Sequence, residues 1–150
     1  MKNKIELTWS ILCSSSSVDI DTNNLTLSNI IDEITLPDVL FTERPANIDR
    51  VEINFNLQLV SLWSRVEKNT TDSDITAKIE LIDPENKSLT TTEFNFQFPA
   101  NKTRMRHRTT IPIIVITKPG IYNFRVFTKS KKESDYKKVY DTPLIVNRDV

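Results

Sequence analysis

Arg104, Arg106 and Arg108 stand two residues apart in the chain. On a β-strand that spacing puts three guanidinium groups on one face, about 7 Å from one to the next. Each guanidinium is a planar fork of donors that fits a carboxylate or a phosphate in bidentate fashion. The chemistry on offer is anion capture, from an acidic protein surface or another polyanion. Arg125 and the lysines Lys131, Lys132, Lys137 and Lys138 are candidates to join the patch. The plainer alternative is a solvated outer face paired with Glu80 or Glu93 of a neighbouring strand.

A second constellation is acidic. If each strand runs antiparallel to the one before it, alternate loops share an end of the molecule. Asp19, Asp21, Asp72, Asp74 and Asp135 then gather at one end. Calcium takes six to eight oxygen ligands, and carboxylates from several loops can supply them. Two arguments oppose a metal: Asp21 suits a tight turn by bonding its own backbone, and Lys131 and Lys132 fall in the same cluster. The expectation is therefore no metal and no cofactor, with the five aspartates as the alternative.

Other chemistries are poorly supplied. His107 is the only histidine and shares its strand face with Met105, Thr109 and Ile111. A general base is conceivable there, but no motif sets a nucleophile beside it, so a structural role is expected. One Cys and one His are too few for zinc. The single glycine, Gly120, leaves no glycine-rich phosphate loop to be written. No catalytic residue is assigned, and the chain is not expected to be an enzyme; a hydrolase is the least favoured reading.

The elements that position these residues alternate with period two. Ile5, Leu7, Trp9, Ile11 and Cys13 alternate with polar residues, which reads as a half-buried strand with one apolar face. Asp21-Thr22-Asn23-Asn24 reads as a turn. Leu25 to Leu36 follows as a second strand, with a phase shift near Asn29 that suggests a bulge. Residues 37–49 form a loop. Val51, Ile53, Phe55, Leu57 and Leu59 mark the clearest strand, and both faces turn apolar from Val60 to Trp63. A run this long, roughly 40 Å, predicts a bend near Val60 where it passes between sheets. After a polar stretch over residues 67–74, further strands carry Ile75 to Leu81, Phe94 to Phe98, Thr103 to Ile116, Tyr122 to Val126 and Tyr136 to Val146. Pro112 places its strand at an edge or a bulge. Pro119-Gly120 fits a type II turn. The expectation is an all-β fold, a single-domain antiparallel sandwich of about eight strands over residues 1–150.

Lys and Arg total 20, as do Asp and Glu, so no global field attracts nucleic acid or an anionic membrane. Cys13 is the only cysteine, which rules out an intrachain disulfide and fits a reducing compartment. Lys2 and Lys4 resemble a basic leader, but Glu6, Thr8 and Ser10 break the apolar stretch that must follow. No run approaches a membrane span. Without a secretory leader, the Asn-x-Ser/Thr triplets at Asn24, Asn69, Asn86 and Asn101 carry no message. A cytoplasmic location is expected.

Three segments, Trp9-Ser10-Ile11-Leu12-Cys13, Asp21-Thr22-Asn23-Asn24-Leu25-Thr26-Leu27 and Asn29-Ile30-Ile31-Asp32-Glu33-Ile34, resemble the opening of a group of uncharacterised bacterial β-sandwich proteins. Pro119-Gly120-Ile121-Tyr122-Asn123-Phe124-Arg125-Val126 resembles the turn into the penultimate strand of many immunoglobulin-like and C2-like sandwiches. The resemblance implies a bacterial immunoglobulin-like or C2-like sandwich and brings no activity with it. The functional expectation is a non-enzymatic binding module whose partner is another protein, with Arg104, Arg106, Arg108 and Arg125 as the binding face. The alternative is a C2-like calcium-, carbohydrate- or other ligand-binding domain that uses the aspartate loops.

Overall fold

The computed structural model describes residues 5–66, 71–130 and 132–149. Lys2, Lys4, Asn69 and Lys131, and residues 67–70 of the polar stretch, lie outside them. Nine strands occupy the described residues: β1 (Ile5–Val18), β2 (Leu25–Ile30), β3 (Glu33–Pro37), β4 (Val51–Arg65), β5 (Ser73–Ile82), β6 (Ser88–Phe98), β7 (Arg104–Ile116), β8 (Gly120–Ser130) and β9 (Lys137–Asp149). One helical turn, α1 (Val39–Thr42), falls in the expected loop. A four-stranded sheet has the order β2-β1-β4-β7, and a five-stranded sheet the order β3-β9-β8-β5-β6. All pairs are antiparallel except β3 with β9, which is parallel. The molecule is an all-β sandwich.

The core lies between the sheets, where alternate residues of each strand meet. Leu12, Leu57, Leu59 and Trp63 come from one sheet; Ala77, Leu81, Phe98, Tyr122, Phe124 and Leu144 come from the other. Trp63 packs on Phe96 with ring centroids 5.0 Å apart.

Two expectations about strand continuity change. The segment from Leu25 to Leu36 is two strands, one in each sheet. Asn29 has φ 55°, and the chain crosses over just after it. There the Ile31 N–H donates to Leu12 O, and Asp32 O accepts from the Ile145 N–H, 2.8 and 2.9 Å. The phase shift at Asn29 marks this change of sheet, not a bulge. Conversely, β4 does not change sheet at Val60; it runs unbroken to Arg65. Its faces are both apolar because both are covered, the inner one by the opposite sheet and the outer one by the β1–β2 hairpin.

The prolines follow the physical rule. Pro112 sits on edge strand β7, opposite a register irregularity between Asn54 and Leu57. Pro143 lies in β9 just before its pairing with β3 begins at Ile145, so β3 makes no demand on its missing N–H.

The turn into β8 is not type II. Gly120 begins the strand itself at φ 146°, far from the roughly +80° of a type II turn. The corner is tied instead by Tyr122, whose side chain is fully buried. Its hydroxyl donates to Lys118 O at 2.7 Å and accepts from the N–H groups of Thr117 and Lys118 at 2.9 and 3.1 Å. A tyrosine that bonds back to the preceding corner at the start of the penultimate strand is a feature of immunoglobulin-type sandwiches.

Candidate binding face

Strand β7 forms the edge of the four-stranded sheet. Ser64 pairs with Arg104, Leu62 with Arg106 and Val60 with Arg108. Trp63 faces the core from between them, so all three arginines point outward, as the alternation requires.

The surroundings of the stripe differ from expectation. A register shift between Leu7 and Trp9 turns the second half of β1 over. Leu12 now faces the core, while Trp9, Ile11 and Cys13 face outward. Rows therefore run across the outer face: Trp9, Leu62 and Arg106 in one, Ile11, Val60 and Arg108 in the next. The β1–β2 hairpin leans over these rows. Ser16 Oγ donates to Gln58 Oε1 at 2.7 Å, and Arg106 Nη2 donates to Asn23 O at 2.7 Å. Under it Val60 is 2% exposed and Cys13 0%, although neither belongs to the inter-sheet core. Burial pushes the Cys13 thiol up from its ordinary pKa.

Between hairpin and β7 runs an open groove of about 480 Å³. Trp9, Leu62, Val18 and Leu25 give it apolar walls; Lys102, Arg104 and Arg106 supply the charge. Among the described residues, no carboxylate pairs with Lys102, Arg104 or Arg108. Glu6 shares the row of Ser64 and Arg104 but lies two strands away.

The expected acidic neighbours are elsewhere. Glu80 and Glu93 belong to the five-stranded sheet, where Glu80 pairs with Lys78 at 3.1 Å and Glu93 accepts from the Tyr136 hydroxyl at 3.3 Å. Arg125 is on that sheet too, in β8. Its Nε and Nη2 donate to the two oxygens of Asp141, 2.9 and 3.3 Å, so it does not join the stripe. The hydrogen bond to Asp141 raises the Arg125 pKa. Burial pushes Asp141 up, but hydrogen bonds from Arg125 and Lys138 outweigh it and hold the carboxyl below its usual value. Lys137 and Lys138 start β9, again on the other sheet.

Nor do the five aspartates assemble. Asp19 Oδ1 accepts from the N–H groups of Asp21 and Thr22 within the β1–β2 turn. Asp72 Oδ1 accepts from the Ala100 N–H at 2.8 Å. Asp74 lies within β5, opposite Gln97, and Asp135 in the connection before β9. Among the described residues, no three Asp, Glu, His or Cys side chains come close enough to hold a metal. The geometric reason is that the β1–β2 turn serves the four-stranded sheet, while β5 and β8, paired at Ile75 and Ser130, bring the other loops together at an end of the five-stranded one.

His107 faces inward. Its ring stacks on Phe94 with centroids 4.1 Å apart and planes 7° from parallel, and Nδ1 lies 3.4 Å from Thr109 Oγ1. Burial lowers its pKa from 6.5. The unfolded chain therefore takes up a proton first on acidification. The stabilising contribution is complete above pH 6.5 and is lost as pH falls through the lower, folded-state value. Urea midpoints measured at pH 7.5, 6.5 and 5.5 should fall on acidification in the native protein. They should stay level in His107→Phe, which keeps the stack and removes the sole histidine; a matching decline in the variant would assign the effect to carboxylates.

Trp9, Leu62 and the hairpin wall escape a reading by period alone. Their signal was present in two places: Leu12 is apolar in the polar phase of β1, and β4 is apolar on both faces at Val60–Trp63.

No protein-family model matches the chain, and no curated protein does. In structure it is similar to the C-terminal domain of wzt, with a TM-score of 0.45 and 10% identity over 77% of this chain and 88% of that one. It is also similar to an immunoglobulin-like protein from Pseudomonas aeruginosa, with a TM-score of 0.38 and 9% identity over 97% of this chain and 94% of that one.

Proposed function

We propose that the chain is a non-enzymatic protein-interaction module that receives an acidic partner on the outer face of its four-stranded sheet. One observation carries the reading: Lys102 and Arg104 border a groove with apolar walls, Arg108 follows on the same strand face, and no carboxylate among the described residues pairs with any of the three. Like charges spaced this closely repel unless something acidic or water screens them. An acidic partner supplies that screening, and Trp9 and Leu62 supply apolar contact beside it. The single Cys13, buried and unpaired, suits the reducing cytoplasmic setting that this reading includes.

The two tryptophans make the test direct. Trp63 is sealed in the core and Trp9 lines the groove. Titration with a short oligoglutamate should shift Trp9 emission, and an oligolysine of equal length should not. The shift should vanish in Trp9→Phe. Replacing Arg104, Arg106 and Arg108 together by Gln should weaken binding at least tenfold, roughly 1.4 kcal/mol. Thermal stability should change little, since among the described residues Arg104 and Arg108 make no ion pair and Arg106 gives up one exposed hydrogen bond to Asn23 O. Raising salt from 50 to 500 mM should weaken the native complex. Equal affinity in the triple variant would remove the arginine face from the account.

A further inference from the structure

We infer that the acidic partner is an extended peptide segment that adds itself as a fifth strand to the free edge of β7; the inference rests on the reading just given and specifies how that partner docks. Three features of one edge converge on it.

The first is backbone. Strand β7 has 13 residues, pairs among the described residues only with β4, and leaves alternate N–H and C=O groups pointing away from its neighbour. A long free edge is a ready template for another strand. Pro112, without an N–H, sets the upper limit of the ladder and leaves the stretch from Arg104 to Ile111 continuous.

The second is charge. On an added strand, side chains at alternate positions lie beside Arg104, Arg106 and Arg108, at the same spacing of about 7 Å. Carboxylates at those positions meet one guanidinium each.

The third is shape. The sandwich is incompletely closed between β7 and β6, which is the edge of the other sheet. A cavity of about 180 Å³ opens there, floored by Ile79, Leu81 and Phe124 and flanked by Thr92 and Thr109. The inward side chains of an added strand, those between the carboxylates, point toward this opening near Thr109 and Ile111. The occupant is therefore alternating: Asp or Glu outward, with one or two Val-sized apolar residues inward at the Pro112 end.

A second copy of this chain fits poorly. Pairing β7 with its own copy sets the arginine stripe against itself. The copy's β6 offers three arginines one carboxylate, Glu93, which already accepts from Tyr136.

The test uses the full chain and three capped peptides of about nine residues with identical side-chain composition. One alternates Glu outward with Thr and Val inward. One scrambles that order, and one keeps it but carries N-methyl groups on alternate amides. The alternating peptide should bind at least tenfold more tightly than either of the others. In hydrogen exchange, amides between Arg104 and Ile111 that face the free edge should slow at least tenfold when it binds. Equal binding by all three peptides, with no added protection in β7, would overturn the inference while leaving an acidic partner on the outer face. Failure of all three to bind, along with oligoglutamate, would overturn both readings. Protection of β7 that appears with rising protein concentration and no peptide would show that a second copy holds the edge, and would overturn the inference as well.

Discussion

Gly120→Ala should lower the unfolding free energy by about 3 kcal/mol, read as a fall in urea midpoint at unchanged slope. Two independent costs add at this position. The backbone is held at φ 146°, where L side chains are strained. A Cβ there would also lie 2.7 Å from Pro84 Cγ and 2.9 Å from Pro84 Cβ. Neither neighbour can give way cheaply. Asp83, buried, takes the N–H groups of Glu85 and Lys87 at 2.9 and 2.8 Å and so fixes the turn that carries Pro84. On the other side the Tyr122 hydroxyl fixes Thr117 and Lys118. Lys118 Nζ also bridges to Glu85 Oε1 at 2.7 Å, tying the two corners to each other. Adding Pro84→Ala should recover about 1 kcal/mol by removing the Cγ contact, and leave the Cβ contact and the backbone cost in place. A loss below about 0.5 kcal/mol in the single variant would mean that the corner is softer than its bonds imply.

The need for a glycine at 120 was legible from its sequence position; the reason for it was not. Pro119-Gly120 fits a local turn, whereas the constraint comes from Pro84, which only tertiary packing brings near. The same division holds elsewhere. Period two is a local property of strand geometry, so Phe94, Phe96 and Phe98, or Arg104, Arg106 and Arg108, could be assigned a common face with no knowledge of neighbours. Strand order is not local. Glu80 and Glu93 looked suitable partners for the stripe, and Arg125 a suitable extension, because nothing in alternation says which sheet a strand joins. The β1 face assignment held for Ile5 and Leu7 and inverted at Trp9, since a single register shift exchanges the two faces of everything after it. That inversion places an indole beside the arginines and creates the groove. The aspartate grouping failed for a related reason: the extra crossover at β2–β3 breaks the simple alternation of loop ends on which it relied.

Trp63→Ala should cost about 3–5 kcal/mol, the largest loss expected from any single substitution in this chain. The ring is 1% exposed and sits on the inner face of β4, which is paired with β1 on one side and β7 on the other. Leu7 and Met105 flank it in register, and Phe96 meets it from the opposite sheet with planes tilted by 53°. Removing it takes away contacts with three neighbouring strands at once, and a rigid two-sheet frame cannot collapse into the space. Its Nε1, buried, has no hydrogen-bond partner among the described residues. Trp63→Phe therefore keeps a ring against Phe96 and discards an unsatisfied donor, and should cost only about 1 kcal/mol. Trp9→Ala, on the outer face, should cost less than the core truncation while abolishing the emission response to oligoglutamate. Guanidinium or urea titrations of the three variants give the ordering. If Trp63→Ala and Trp9→Ala proved equally destabilising, the outer groove would be a second core under the hairpin, and its open, ligand-ready character would have to be abandoned.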